Sequence, residues 1–225
     1  MDNKRMIRVT GKGQIKVRPD IIRITMTLEG TYPEYGEALR RSARDTDCLR
    51  DILLTFGFGK SDLKTISFHV DTEYEGYQER GAYKQRFVGY KFCHLMKVEL
   101  ASENDQLGEI LYALANSPVR PEFRISYTVK DKEAVKNELL GNAVTDARKK
   151  ALVLAKAADV ALGDIQRIDY AWEEGDFEVR PMGKALMAEA SQMDASGYGA
   201  NCYDLGIEPD DIEVSDSVTV VWGIR

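Results

Sequence analysis

Residues 9–20 read Val-Thr-Gly-Lys-Gly-Gln-Ile-Lys-Val-Arg-Pro-Asp, and this stretch decides the fold together with a long helix much further along the chain. Apolar and polar residues alternate from residue 7 to residue 17, which predicts a half-buried strand because successive side chains of a strand point to opposite faces. Gly11 and Gly13 occupy the apolar face, so another backbone or a bulky group can approach there. A dinucleotide-binding loop is excluded, since it needs a third glycine and a helix directly after it.

Outward from Pro19-Asp20, the sequence predicts a ferredoxin-like unit over residues 20–130. Apolar residues at alternate positions mark strands, apolar residues three and four apart mark helices, and the resulting order is β-α-β-β-α-β. This order is typical of a four-stranded antiparallel sheet with two helices on one face. The predicted inward residues of its hairpin are Ile66, Phe68 and Val70 on the first strand and Val88, Tyr90, Phe92, Met96, Val98 and Leu100 on the second. The other strands turn inward Ile22, Ile24, Met26, Leu28, Phe123, Ile125, Tyr127 and Val129.

Residues 1–19 together with 131–225 predict a discontinuous second α+β unit. Its long alanine-rich helix spans about 132–158, and two late strands carry Ile168 and Val218. Asp146 and Lys150 lie one helical turn apart, in the order that favours an ion pair. Residues 173–212 show no strong period and form an irregular insert, a feature that is usually functional or disordered. The predicted inner stripe of the helix is Leu140, Ala143, Val144, Ala147, Ala151, Leu154, Ala155 and Ala158.

Composition excludes several classes of protein. The 225 residues are 44% hydrophobic and 30% charged, which is ordinary for a soluble globular chain. A formal net charge of −6 argues against binding nucleic acid through its phosphates and against docking on anionic membranes. Three cysteines far apart do not indicate a disulfide framework. No apolar run predicts a membrane span or a signal peptide, so the chain as written is expected to be cytoplasmic, or periplasmic or in the cell envelope if a leader has been removed.

Two longer segments and three shorter ones resemble the SIMPL-domain family, which includes periplasmic immunogenic antigens of bacteria and a eukaryotic kinase-interacting branch. The resemblance implies a mixed α+β fold, ring-like or larger homo-oligomers, an association with the cell envelope and tolerance of oxidative stress. It carries no catalytic residues, because none is established for the family. The matching residues are Val9-Thr10-Gly11-x-Gly13-x-Ile15-x-Val17-x-Pro19-Asp20, Ala143-x-x-Asp146-Ala147-x-x-Lys150-Ala151-x-x-Leu154-Ala155, Leu162-Gly163, Arg180-Pro181-Met182 and the strand 216–224.

The only concentration of metal-ligand chemistry is at His69, Cys93 and His94. Strand alternation places His69 and Cys93 on the outer face of the hairpin, where Asp71 can join them, and places His94 on the inner face. Two or three mixed ligands fall short of a closed zinc set. A solvated histidine beside an ordinary thiol is therefore the favoured interpretation, and no cofactor is predicted.

Two groups of residues are candidates for self-association. Tyr74, Tyr77 and Tyr83 place aromatic rings near the hairpin tip at 76–85, where a loop is expected to be polar, and tyrosine is enriched in contact surfaces. Met182, Met187 and Met193 cluster in the insert, and methionine suits adaptable contacts. Packing of the tyrosines on their own sheet, or a core-capping helix in the insert, explains these residues equally well.

The sequence predicts a non-enzymatic, self-assembling protein with a stress-related or scaffolding role. No Gly-x-Ser-x-Gly nucleophile elbow is present, and abundant carboxylates alone do not select an acid–base pair. The alternatives are a small-molecule or metal-binding protein, or a protein–protein interaction module that docks a partner strand on the hairpin edge.

Overall fold

The computed structural model describes residues 5–79, 81–102, 104–170, 177–179 and 209–225. Within them the chain has three helices and seven strands in two antiparallel sheets, which confirms the predicted α+β class. The described residues form two compact units, one within residues 21–127, the other of residues 5–20, 128–170, 177–179 and 209–225. The elements are β1 (Met6–Val17), β2 (Ile21–Tyr32), α1 (Tyr35–Thr55), β3 (Lys64–Glu79), β4 (Ala82–Ala101), α2 (Asn104–Ala115), β5 (Glu122–Thr128), α3 (Lys132–Ala157), β6 (Leu162–Asp169) and β7 (Ile212–Ile224).

The unit built from β2 to β5 has the predicted β-α-β-β-α-β order. Its sheet has the strand order β3-β4-β2-β5, in which the first and third strands of the motif are central, as the ferredoxin-like arrangement requires. α1 contacts β2, β4 and α2, so both helices pack on one face of the sheet. The core between them is formed by Ile22, Ile24, Met26, Leu28, Ala38, Leu49, Leu53, Leu63, Phe92, Met96, Val98, Leu100, Leu107, Ile110, Leu111, Leu114 and Tyr127.

The hairpin of β3 and β4 differs from the prediction at its irregular positions. The pairing register shifts between Thr65 and Ser67 and again at Val88, so Ile66 and Val88 are bulge residues and both side chains are exposed rather than inward. Phe68 keeps the predicted face, since it pairs with His94, but it is also exposed. The prediction of a loop at 76–85 is wrong as well, because β3 and β4 remain paired as far as Glu79 and Ala82.

The other unit is a three-stranded sheet of order β1-β7-β6 covered by α3. β1 and β7 pair along their whole length, from Met6 opposite Gly223 to Val17 opposite Ile212. Asp131 begins α3, because its side chain accepts a hydrogen bond from the Ala134 N–H at 2.8 Å. Two apolar clusters fill the space between helix and sheet: Val9, Ala143, Ala147, Ala151, Val218, Val220 and Trp222, and then Val129, Val135, Leu139, Phe177, Ile212 and Val214.

The buried stripe of α3 differs in part from the prediction. The buried residues recur every four positions, so the stripe winds slowly around the helix as it crosses the sheet. Leu154 and Ala158 are exposed, and the prediction missed Val135 and Leu139. The other four alanines of the predicted stripe are buried, and their small side chains let the helix approach the sheet closely. The complete buried set is Val135, Leu139, Ala143, Ala147, Ala151 and Ala155.

None of the described helices combines the length and the apolar character that a membrane crossing requires. Of the insert at 173–212, the described parts are residues 177–179 and 209–212, where Phe177 is buried and Ile212 begins β7.

Candidate functional site

The two segments that carry the family resemblance meet in the structure. A Cβ added to Gly11 would lie 2.0 Å from the carbonyl oxygen of Ala143 and 2.4 Å from the backbone nitrogen of Ala147. A Cβ on Gly13 would lie 2.2 Å from the carbonyl oxygen of Leu139. The expected close approach of a backbone to the glycine face of β1 is therefore observed, and the backbone in question is that of α3.

Asp146 and Lys150 of α3 reach the unpaired edge of β1. The Lys12 N–H donates to Asp146 Oδ2 at 2.8 Å, and Lys150 Nζ donates to the carbonyl oxygen of Thr10 at 3.4 Å. The two side chains also pair with each other at 2.6 Å. Hydrogen bonds from Lys150 and from the Lys12 N–H hold the pKa of the Asp146 carboxyl below its usual range. The helical ion pair thus caps backbone groups that an edge strand otherwise leaves open.

The predicted metal ligands are close together but do not form a three-ligand group. His69 pairs directly with Cys93, and His69 Nε2 lies 3.7 Å from Asp71 Oδ2. No hydrogen bond joins His69 and Cys93, and the His69 and Asp71 side chains are largely exposed. Among the described residues no three His, Cys, Asp or Glu side chains are grouped so as to hold a metal ion.

His94 lies on the opposite face, as predicted, between α1 and the hairpin. Thr46 donates its hydroxyl proton to the Ser42 carbonyl oxygen, so it can only accept from His94 Nδ1 at 3.1 Å. The neutral ring therefore carries its proton on Nδ1, and Nε2 accepts from the Thr65 hydroxyl at 2.8 Å. Burial, together with the nearby Arg50 guanidinium, lowers the pKa of His94. The side chain serves as a neutral, satisfied connector between helix and sheet.

The outer half of the hairpin has an aromatic face. Tyr35 of α1 meets Tyr90 edge to face at 5.5 Å, Tyr90 meets Phe87 at 5.4 Å, and Phe87 meets Tyr74 at 5.7 Å between ring centroids. Tyr83 lies further out on the same face, since its hydroxyl covers Gly76. We call these five rings the aromatic face. Ring contacts join four of them, Tyr83 continues the same face, and all but the half-buried Tyr90 are exposed, so they form one apolar surface.

The opposite face of the hairpin is charged and internally paired. Tyr77 is on this face, opposite Lys84, so the three predicted tyrosines are divided between the two faces. Glu75 pairs with Arg86 at 2.8 Å and Glu79 pairs with Lys84 at 2.5 Å. The second predicted self-association group, Met182, Met187 and Met193, lies outside the described residues.

Sequence reasoning missed Phe87 and Tyr35 as members of the aromatic face. Simple alternation from Tyr90 places residue 87 on the charged face, and the bulge at Val88 reverses that assignment. Tyr35 is the first residue of α1 and lies exposed beside Tyr90.

Two comparisons with known proteins gave different results. No curated protein matches the chain, but a family model does. The model of the SIMPL family, described as a protein of unknown function (DUF541), matches residues 7–222. That span includes the glycine strand β1, the capping helix α3 and most of β7, and the chain therefore belongs to the SIMPL family.

Proposed function

We propose that this protein is a non-enzymatic, self-assembling SIMPL protein in a scaffolding or stress-related role, and that its copies associate through the aromatic face. The observation that carries the proposal is the exposure of four aromatic rings on one face of the hairpin unit. Tyr35, Tyr74, Tyr83 and Phe87 are 50%, 55%, 72% and 44% exposed. Large connected apolar surfaces on soluble proteins mark interaction sites.

The size of the surface suits a contact between proteins. An aromatic side chain buries about 150–250 Å² when it is covered, so four half-exposed rings offer roughly 400 Å². A stable interface of standard size covers about 800 Å² on each partner. The rings thus provide about half of such an interface, and neighbouring polar residues on the same strands supply the remainder.

The absence of charge on this face favours a second copy as the partner. The strand positions between and beyond the rings are Thr72, Gly76, Gln78 and Gln85, and none carries a formal charge. In a two-fold contact, a patch on one copy packs against the identical patch on the other copy. If the patch were charged, like charges would therefore face each other. An uncharged aromatic patch meets its own copy without that repulsion.

The test compares substitutions on the two faces of the same hairpin. Size-exclusion chromatography with light scattering, at micromolar concentration, should show that the wild-type protein is an oligomer and that the Tyr74→Ser, Phe87→Ser double variant dissociates. The matched control is Tyr77→Ser, which removes a tyrosine from the charged face and should leave the oligomer unchanged. A monomeric wild-type protein, or equal dissociation by Tyr77→Ser, would refute the proposal.

A further inference from the structure

The strand β3 has one unpaired edge. β3 is 16 residues long and lies at the end of the strand order β3-β4-β2-β5, so within the described residues it pairs only with β4. Edge strands expose backbone N–H and C=O groups that can pair with another chain, and proteins commonly protect them with lysine or proline. In β3 a lysine stands only at the first position, Lys64, and a bulge interrupts the strand at Ile66. From Ser67 to Glu79 the strand has neither lysine nor proline and its edge charges are acidic, so this part of the backbone edge is a template for a strand of opposite charge.

In the half of the outer face nearest the hairpin tip, the charges alternate in sign from strand to strand. Glu29 of β2 pairs with Lys91 of β4 at 3.0 Å, and Lys91 stands opposite Asp71 of β3 in the register. Arg86 and Lys84 continue the basic row of β4 and pair with Glu75 and Glu79. The series is acidic on β2, basic on β4 and acidic on β3, where it ends.

The acidic row of β3 is not fully neutralised by β4. It consists of Asp71, Glu73, Glu75 and Glu79, which recur at alternate positions apart from Tyr77. Glu73 accepts a hydrogen bond from Thr31 and shares the charge of Lys91 with Glu29, which is the ion-pair partner of that lysine. The ion-pair partner of Asp71 is His69 at 3.7 Å. The middle of the row therefore carries negative charge that a neighbouring strand can meet.

We propose that the free edge of β3 takes an extended segment of a partner protein as an added strand, with basic side chains at alternate positions and apolar side chains between them. The basic residues lie beside the acidic row, at the short distance of directly opposite cross-strand pairs. The apolar residues lie on the other face, beside Phe68, Val70 and Tyr74. Backbone pairing gives affinity, and the alternate side chains give specificity.

The same charges exclude β3 of a second copy from this edge. Two acidic rows placed opposite one another destabilise a strand pair, so copies of this protein are directed away from edge-to-edge pairing. The backbone edge and the acidic row lie apart from the aromatic face, and the two proposals share only Tyr74, which borders the apolar side of the added strand. Failure of one proposal leaves the other open to its own test.

The test uses synthetic peptides and the full chain. A fluorescein-labelled peptide of about eight residues, with lysine alternating with valine and threonine, should bind in an anisotropy titration. A peptide with glutamate in place of lysine should bind at least roughly tenfold more weakly, as expected from several reversed cross-strand charge pairs. In the Asp71→Lys, Glu73→Lys variant the preference should reverse.

Two further peptides separate strand addition from simple charge attraction. N-methylation of alternate backbone nitrogens keeps every charge but removes the donors of one edge, so it should abolish binding. A peptide of the same composition with its lysines in one block should also bind more weakly than the alternating one. Amide hydrogen exchange should slow in β3 when the alternating peptide is added. Equal binding of the N-methylated or block peptide, an unchanged preference in the double variant, or no binding at all would overturn the proposal.

Discussion

The free edges of β1 and β3 show two different treatments of the same structural problem. Both strands lie at the end of an antiparallel sheet and pair with one neighbour. On β1 the open backbone groups of Thr10 and Lys12 bond to Lys150 and Asp146 of α3, while the strand face is packed against the helix backbone. On β3 no described helix covers the edge, and the aromatic rings beside it stay exposed. The difference separates residues that build the fold from residues that are available to a partner.

This comparison also gives the family-matching residues a physical meaning. Gly11, Gly13, Asp146 and Lys150 belong to the two segments that resemble other SIMPL proteins, and all four are accounted for by the contact between β1 and α3. Substitutions in these two segments are therefore expected to change the packing of α3 on β1. The hairpin residues have no comparable structural explanation, which is why both proposals concern the hairpin.

The largest expected effect is the difference in stability between two glycine-to-alanine substitutions, one beside β1 and α3 and one in the hairpin. Gly11→Ala places Cβ 2.0 Å from the backbone oxygen of Ala143, which cannot move without displacing α3, so we expect a loss of about 3 kcal/mol or more in the free energy of unfolding. Gly76→Ala places Cβ 1.8 Å from the hydroxyl of Tyr83, but that exposed ring can swing away, so we expect a change below about 0.5 kcal/mol. Urea denaturation measures both changes.

Gly141→Ala is the control for the first substitution. Gly141 lies within α3, no atom stands within 4 Å of an added Cβ, and replacing a helical glycine by alanine stabilises a protein by about 1 kcal/mol. Similar losses for Gly11→Ala and Gly76→Ala would mean that the two regions are equally packed, contrary to the comparison.

The sequence predicted the regular parts of both regions and missed what depends on tertiary contacts. Alternation identified β1 and the inward row of β2, and the two glycines indicated a close backbone approach. A bulge adds one residue without changing local composition, so the exposure of Val88 and the face of Phe87 could not be read from alternation. The ion pair of Asp146 and Lys150 was visible as a helical spacing. Its bonds to the β1 backbone were not, because they join elements far apart in the chain.

A smaller effect is expected when the cap on β1 is weakened. Asp146→Asn keeps an acceptor for the Lys12 N–H but removes the charge that pairs with Lys150, so the melting temperature at pH 7 should fall. Because the folded-state pKa of Asp146 is depressed, its contribution is fully present above the unfolded-state value of about 3.9 and is lost as pH falls through the folded-state pKa. The difference between wild type and variant should therefore disappear in strong acid. A difference that persists unchanged at pH 2, or an equal loss for the exposed control Asp164→Asn, would contradict the role of this cap.

The smallest expected effect concerns His94 of β4, which joins α1 to β3 through its two threonine partners. Burial and the Arg50 charge lower the pKa of His94 in the folded state, so the unfolded chain binds the proton more readily. Folding stability should consequently be highest above about pH 6.5 and should decrease as pH falls from there through the folded-state pKa. The chain has only two histidines, which makes the assignment direct. In melting curves from pH 8 to pH 5, His94→Leu should lose this component of the pH dependence, whereas His69→Leu on the exposed face should retain it. If His69→Leu removes it instead, His94 is not the neutral connector that its two threonine partners indicate.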